Sequence, residues 1–183
     1  MHPKVAIVII NWNGYEYTHA CLRSLQACDY DNYKIIVVDN GSEDDSGRKI
    51  KAEFTDIIFL QNKQNLGFSG GNNTAFDYLK PLDFDYVMLL NNDTIVTPDF
   101  LRQLVKSISK SEEIGAIQPK IMYNNSREII WNAGGKYWPF LALMPTRGLG
   151  KRDVGQFDQP SYTNWLSGCC LLLPMKVLNE VGP

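Results

Sequence analysis

The chain has 183 residues, enough for one domain with its own core, and its 18 Lys plus Arg against 20 Asp plus Glu leave a formal charge of −2. That balance excludes a broad basic face for nucleic acid, and a composition of 44% hydrophobic and 21% charged residues excludes a disordered chain. No apolar run approaches the roughly 20 residues that cross a bilayer, and Met1 to Val5 carries no signal-peptide core, so the sequence predicts a domain that neither spans a membrane nor is exported.

Val5 to Ile10 is apolar at every position, as are Ile35 to Val38 and Val87 to Leu90, the pattern of parallel strands covered by helices on both faces. Between the first two runs Tyr17, Cys21, Leu25 and Cys28 recur at helical spacing after a turn at Gly14. Ser42, followed three residues later by Asp45, predicts a cap for a second helix that runs to about Phe54. Ile57 to Leu60 reads as a third strand. A glycine-rich loop, Asn65 to Gly71, leads into a third helix that carries Ala75, Phe76 and Leu79 and ends at Pro81. Thr97-Pro98 predicts the start of a fourth helix with Leu101, Leu104, Val105 and Ile108 on its buried stripe.

Gly115 to Ile121 reads as the next strand. From Tyr123 to about Pro160 aromatic residues alternate with Gly and Pro, which predicts a hairpin and a long loop; within it Trp138 to Met144 is an apolar run suited to an exposed contact. Thr163 to Leu173 reads as a late strand, and Pro174 opens a short helix closed by Gly182-Pro183. The four cysteines form no CxxC pair and no Cys/His cluster: Cys21 and Cys28 read as core residues on a helix, and Cys169-Cys170 as a reduced pair in an apolar run.

In an open α/β sheet ligands sit beyond the carboxyl ends of the strands. Those ends read Asn11-Trp12-Asn13-Gly14, Asp39-Asn40-Gly41-Ser42, Asn62 onward, and Asn91-Asn92-Asp93. Taken singly, each serves equally well as a turn; four on one rim favour a polar ligand. Gly67 to Gly71 can present amides to an anion at a helix start, yet it is neither a dinucleotide fingerprint nor a P-loop. Asp93 either caps its turn or, facing a diphosphate, holds Mg2+ or Mn2+ through oxygen.

The ordered succession of these four segments, with Asn65-Leu66-Gly67-Phe68-Ser69-Gly70-Gly71-Asn72-Asn73 as the third and Leu90-Asn91-Asn92-Asp93-Thr94 as the last, resembles the family 2 glycosyltransferases, and most of all their bacterial rhamnosyltransferase-like branch. The resemblance covers nearly all of the chain and implies a GT-A fold. That is a Rossmann-like three-layer α/β/α domain with a mainly parallel sheet and a small β-hairpin acceptor region near its end. It implies one such domain over residues 1–183, with a nucleotide-sugar half at 1–110 and a partial acceptor half at 111–183. The donor-site residues it implies are Asn11, Asn13, Asp39, Gly41, Gly67, Gly71, Asn72, Asn73, Asn92 and Asp93, with Asp39 on the base or ribose and Asp93 as the metal ligand, Mg2+ or Mn2+. Asn91 stands where relatives have the first acid of D-x-D. Trp131, Gly134, Trp165 and Gly168 match segments that shape the donor and acceptor pockets; as residues alone they serve as hairpin turns and core aromatics equally well.

The implied reaction is inverting transfer of a hexose, rhamnose included, from a dTDP- or UDP-sugar to a hydroxyl of a surface polysaccharide, free or lipid-linked, at the cytoplasmic face of the plasma membrane. The alternative is a noncatalytic nucleotide-sugar-binding module. The branch carries its base in a Glu-Asp motif expected just beyond Pro183, so the catalytic base has no counterpart here, and Asp153, Asp158 and Glu180 do not match that motif. The expectation is therefore a fragment that lacks part of its acceptor half, together with any segment there that touches a membrane.

Overall fold

Alternation along β1 (Val5–Asn11) decides the layering. Val5, Ile7 and Ile9 point into a core shared with Cys21, Leu22 and Leu25 of α1 (Tyr15–Leu25), Ile50 of α2 (Ser46–Glu53), and Leu101, Leu104, Val105 and Ile108 of α4 (Phe100–Ile108). Ala6 and Val8 point the other way, beneath Ala75, Phe76 and Leu79 of α3 (Gly67–Leu79) and Met175 and Leu178 of α5 (Met175–Val181). A strand buried on both faces needs apolar residues at consecutive positions, which is why 5–10 shows no alternation. Each fully buried Ile or Leu here contributes about 1.5–3 kcal/mol. The computed structural model describes residues 2–182, and Pro183, expected to close α5 with Gly182, lies outside them.

The main sheet has the order β3-β2-β1-β4-β7, with β2 (Tyr33–Asp39), β3 (Ile58–Gln61), β4 (Tyr86–Leu90) and β7 (Cys170–Pro174). The pairs β1·β2, β1·β4 and β2·β3 are parallel, and only β7 runs antiparallel, against β4. The expected α/β/α architecture with a mainly parallel sheet is thus observed. The chain moves outward from β1 through β2 to β3, then returns to the other side of β1 for β4, which creates a switch point between β1 and β4. The expected hairpin is β5 (Ile121–Tyr123) and β6 (Ser126–Asn132), continued as a ribbon by bridges between Gly135 and Thr146 and between Trp138 and Leu143.

Several boundaries differ from the sequence expectation. Helix α1 ends at Leu25, so Cys28 lies beyond it, half-buried, its amide donating to the Leu25 carbonyl at 3.0 Å. Helix α2 starts at Ser46 rather than after a Ser42 cap, because the Ser42 hydroxyl is committed to the Asp39 carboxylate at 2.6 Å and Asp44 instead accepts from the Ser46 amide at 3.0 Å. The glycine-rich loop is short: only its Asn65 and Leu66 are irregular, and α3 begins at Gly67. Helix α4 begins at Phe100, two residues past Pro98, with the Thr97 hydroxyl donating to Asp99.

The strand expected over 115–121 is broken: Ile117 makes one antiparallel bridge to Leu172, Pro119 has no amide with which to extend that ladder, and Ile121 opens β5. The strand expected from Thr163 starts only at Cys170, because the Thr163 hydroxyl is turned to the carbonyls of Gly135 and Trp165 and anchors the hairpin.

Candidate functional site

Parallel register brings Asn11, Asp39 and Gln61 side by side at the carboxyl ends of β1, β2 and β3. The Asp39 carboxylate, 1% exposed, accepts from Asn11 Nδ2 at 2.8 Å and Ser42 Oγ at 2.6 Å on Oδ1, and from Gln61 Nε2 at 2.8 Å on Oδ2. Asn11 Nδ2 also lies 2.9 Å from Ser46 Oγ and 3.1 Å from Ser42 Oγ. Gly47 in the first turn of α2 makes this possible: a Cβ there would stand 2.5 Å from Asp39 Cγ. A buried carboxylate is tolerable only when hydrogen bonded this fully, and here neutral donors do it without a cation. Asp39, the residue the resemblance places on the base or ribose, thus sits at the floor of the rim with Ser42 and Gln61 hydrogen bonded to it.

Above it opens a cleft of about 420 Å³ lined by Trp12, Gly41, Ser42, Glu43 and residues 61–65. Trp12 is 54% exposed, a large aromatic face left in water at the end of a buried strand. Asn13, at φ +49°, ties the two near walls together, its amide donating to Ser42 Oγ at 2.9 Å and its Oδ1 accepting from the Glu43 amide at 2.8 Å. The far wall hangs on Asn40, which is 2% exposed. Its Nδ2 donates to Asn65 Oδ1 at 2.9 Å and the Gly67 carbonyl at 3.1 Å, and its Oδ1 accepts from Asn62 Nδ2 at 2.9 Å and the Leu66 amide at 3.2 Å. A second hollow of about 480 Å³, against Pro3, Phe84 and Asp85, sits at the amino ends of β1 and β4, away from the rim where such sheets bind ligands.

Across the switch point the turn Asn91-Asn92-Asp93 is tied back to the same network. Thr18, fully buried on α1, donates to Asn11 Oδ1 at 2.8 Å and accepts from Asn92 Nδ2 at 2.9 Å. The adjoining Asp93 carboxylate is exposed. Among the described residues no group of three or more His, Cys, Asp or Glu could hold a metal, and Asp93 is the carboxylate on this turn. An exposed single oxygen donor suits Mg2+ or Mn2+, which fill their remaining positions with water and ligand phosphate. Two neighbouring thiols are no soft alternative: burial first, and then the Asp93 charge, push Cys169 up to about 11, and burial pushes Cys21 up to about 12. All four cysteines are free.

Gly67, Gly71, Asn72 and Asn73 fall on the first two turns of α3. Gly71 is buried against Ile10 and Asn40, and Asn72, 3% exposed, donates to the Phe68 carbonyl at 2.8 Å, so both shape the helix start from inside. Gly168 packs against Phe68, and the Asn91 amide donates to the Cys169 carbonyl at 2.8 Å, which brings 168–169 to the same rim. Trp131, Gly134 and Trp165 are not part of the cleft. Gly134, at φ +87°, takes a bend whose amide donates to Asn132 Oδ1 at 2.7 Å, and the Trp165 ring lies against Gly135. Asp153 and Asp158 both pair with Lys120, at 2.5 and 2.6 Å, which holds the Asp153 carboxyl below its ordinary range. Sequence reasoning missed Thr18, Ser46, Gly47 and Gln61, and it quoted Asn40 in the rim without giving it a role. The signal for them is position: a polar residue on the buried stripe of α1, small residues just after Asp39-Asn40-Gly41-Ser42, and a polar residue at the end of the third strand.

The profile of glycosyl transferase family 2 matches residues 6–182. An uncharacterized glycosyltransferase of Rickettsia felis is 27% identical over 184 residues, which take in 98% of this chain and 28% of that protein. The poly-beta-1,6-N-acetyl-D-glucosamine synthase of Staphylococcus aureus is 27% identical over 129 residues, 69% of this chain and 30% of the synthase. In fold, the chain is similar to the mannosyltransferase PcManGT from Pyrobaculum calidifontis, solved in complex with GDP-Man and Mn2+, with a TM-score of 0.67 at 15% identity over 100% of this chain and 47% of that one. A fragment of S. aureus TarS in complex with UDP-GlcNAc gives a TM-score of 0.52 at 19% identity, over 72% of this chain and 43% of that one. The chain spans only 25–28% of the length of its relatives in R. felis, R. conorii and R. bellii.

Proposed function

The chain belongs to glycosyl transferase family 2, and from that membership we propose that it binds a nucleoside-diphosphate sugar in the cleft at the ends of β1, β2 and β3 and serves its transfer, with inversion, to an acceptor hydroxyl. The observation that carries the reading is the exposed Trp12 face over a cleft walled by Gly41, Ser42 and Gln61. A planar base stacks on such a face, and amides and side-chain amides of the walls pair with its edge. Asp39 acts one layer down, fixing the Ser42 hydroxyl and the Gln61 amide in the orientations the base meets. The first-turn amides of α3, from Phe68 to Gly70, offer donors to the diphosphate.

Asp93 is the ligand we assign to a divalent cation, which when bound would offset the charge of the departing diphosphate. We assign the donor to dTDP- or UDP-linked hexoses, rhamnose among them, and the acceptor to a growing surface polysaccharide, free or lipid-linked, on the cytoplasmic side. The polymer-forming synthase among the relatives supports that acceptor class. No acid of this chain is assigned as base, since Asp153 and Asp158 are held by Lys120.

The test is incubation of the chain with UDP-, dTDP- and GDP-sugars and manganese while following nucleoside diphosphate release. Release that rises with an added saccharide acceptor supports the transferase. Saturable binding with no release supports the alternative, a noncatalytic nucleotide-sugar-binding module, which the single carboxylate at Asp93 favours. Failure of every donor to bind overturns both.

A further inference from the structure

The ribbon that continues β5 and β6 ends in a turn built wholly of apolar side chains. Trp138, Phe140, Leu141, Leu143 and Met144 are all exposed, Phe140 completely so, and none is a member of either buried core. Part of their backbone is nonetheless tied across the turn. The Trp138 amide donates to the Leu143 carbonyl at 2.9 Å, the Leu141 amide to the Trp138 carbonyl at 3.1 Å, and Asn164 clasps Tyr137 through its amide at 2.7 Å and its carbonyl at 3.1 Å. Each backbone pair made across the turn lowers the polar cost of moving the apolar tip out of bulk water.

The charges around it have one sign. From Lys136 to Arg152 the sequence holds Lys136, Arg147, Lys151 and Arg152 and no acid, although the whole chain carries a formal charge of −2. The pairing of the ribbon orders them: Lys136 lies across from Pro145, just behind the tip, Arg147 across from Gly134, and Lys151 across from Ile130 at the base. Lys136 and Lys151 are exposed, and neither joins an ion pair among the described residues.

We propose that this tip docks the protein on an anionic lipid surface, with the apolar turn in the headgroup and acyl boundary and the lysines on the lipid phosphates. The proposal is independent of the donor reading. Leu141, Leu143 and Met144 have no hydrogen bonds to offer a saccharide, which argues against a glycan. A projecting turn with a fully exposed Phe140 is a wedge rather than the broad flat patch, about 800 Å² per partner, that a stable protein interface needs. An apolar wedge behind which cations gather matches the two-part attraction of interfacial lipid binding.

Co-sedimentation of the chain with vesicles of phosphatidylcholine alone, and with about 30% phosphatidylglycerol, tests it. Pelleting on the anionic vesicles is expected at least about fivefold more strongly than on the neutral ones, and it should weaken with salt. The Phe140→Ser, Leu141→Ser pair should cost about tenfold or more in partitioning, and the Lys136→Glu, Lys151→Glu pair about fivefold or more on anionic vesicles only. All four positions are exposed, and unchanged circular dichroism confirms that the variants fold. Absence of pelleting on anionic vesicles, or pelleting untouched by the Phe140 and Leu141 changes, overturns the proposal. So does a dimer in light scattering that those two changes abolish, which would give the tip to a second copy of the chain.

Discussion

Asn11 and Asp39 stand in register at the ends of adjacent parallel strands, and Asn11 Nδ2 donates to Asp39 Oδ1 across 2.8 Å. Through that bond, and the 3.1 Å contact of Asn11 Nδ2 with Ser42 Oγ, the two sides of the rim share a network. Gln61 and Ser42 lie on the cleft side of Asp39, and Thr18 and then Asn92 lie on the far side of Asn11. The arrangement makes the floor of the cleft and the turn that carries Asp93 parts of one hydrogen-bonded unit.

Asp39→Asn keeps shape but places an amide donor against Asn11, Ser42 or Gln61, all of which donate to Asp39. At least one buried donor is left without an acceptor, at a cost of about 1–3 kcal/mol. Urea unfolding should show that loss, and nucleotide affinity should fall with it because Ser42 and Gln61 lose their anchor.

Thr18→Val matches the native side chain in shape and removes only the hydroxyl that joins Asn11 to Asn92. About 1–3 kcal/mol of stability should be lost in urea titrations, and Thr18→Ser should restore most of it. If the bridge positions Asp93, Thr18→Val also raises the manganese concentration at half-saturation of nucleotide binding, and Thr18→Ser returns it.

Gly41 has φ +75° and no room for a Cβ, which would meet the Gln64 backbone at 2.5 Å. Gly41→Ala should therefore destabilise by several kcal/mol, on the order of 1–3 from strain and more from the backbone shift, and it should open the cleft wall. Gly115→Ala is the control: it has open space and an ordinary backbone, and should lie within about 1 kcal/mol of the parent.

Tyr30 is buried, and burial, reinforced by Asp31 and Asp85, pushes its phenol from 10.0 up to about 12. Its hydroxyl donates to the Pro3 carbonyl at 2.6 Å. A raised folded-state value means that this contribution is complete below the unfolded value of 10.0 and is lost as pH climbs toward about 12. Thermal melts should fall over that window, and Tyr30→Phe should flatten the fall.

The layers were legible because a two-sided strand such as 5–10 and the stripe of α4 each fix burial by local periodicity. The rim was legible as four polar segments, since parallel strands end together. What stayed hidden is the direction of side chains at those ends. The burial of Asp39 depends on Gly47, eight residues on, which lets α2 close over it. Ser42 reads as a helix cap until the carboxylate beside it competes for the hydroxyl. The hairpin was legible from its Gly and aromatic texture, but the placing of Trp165 against Gly135 depends on Thr163, 28 residues from Gly135, and no local pattern carries that.

The central claim is that the cleft beside Trp12 takes a nucleoside diphosphate with a cation on Asp93. Calorimetric titration with UDP, dTDP and GDP, each with manganese and with chelator, tests it on the parent chain, on Trp12→Ala and on Asp93→Ala. The account predicts saturable binding of one nucleotide that chelation weakens, a loss of about tenfold or more in Trp12→Ala, about 1.4 kcal/mol, and an Asp93→Ala chain that binds equally with or without manganese. Nucleotide binding that is unchanged in Trp12→Ala, or that stays manganese-dependent in Asp93→Ala, would contradict it.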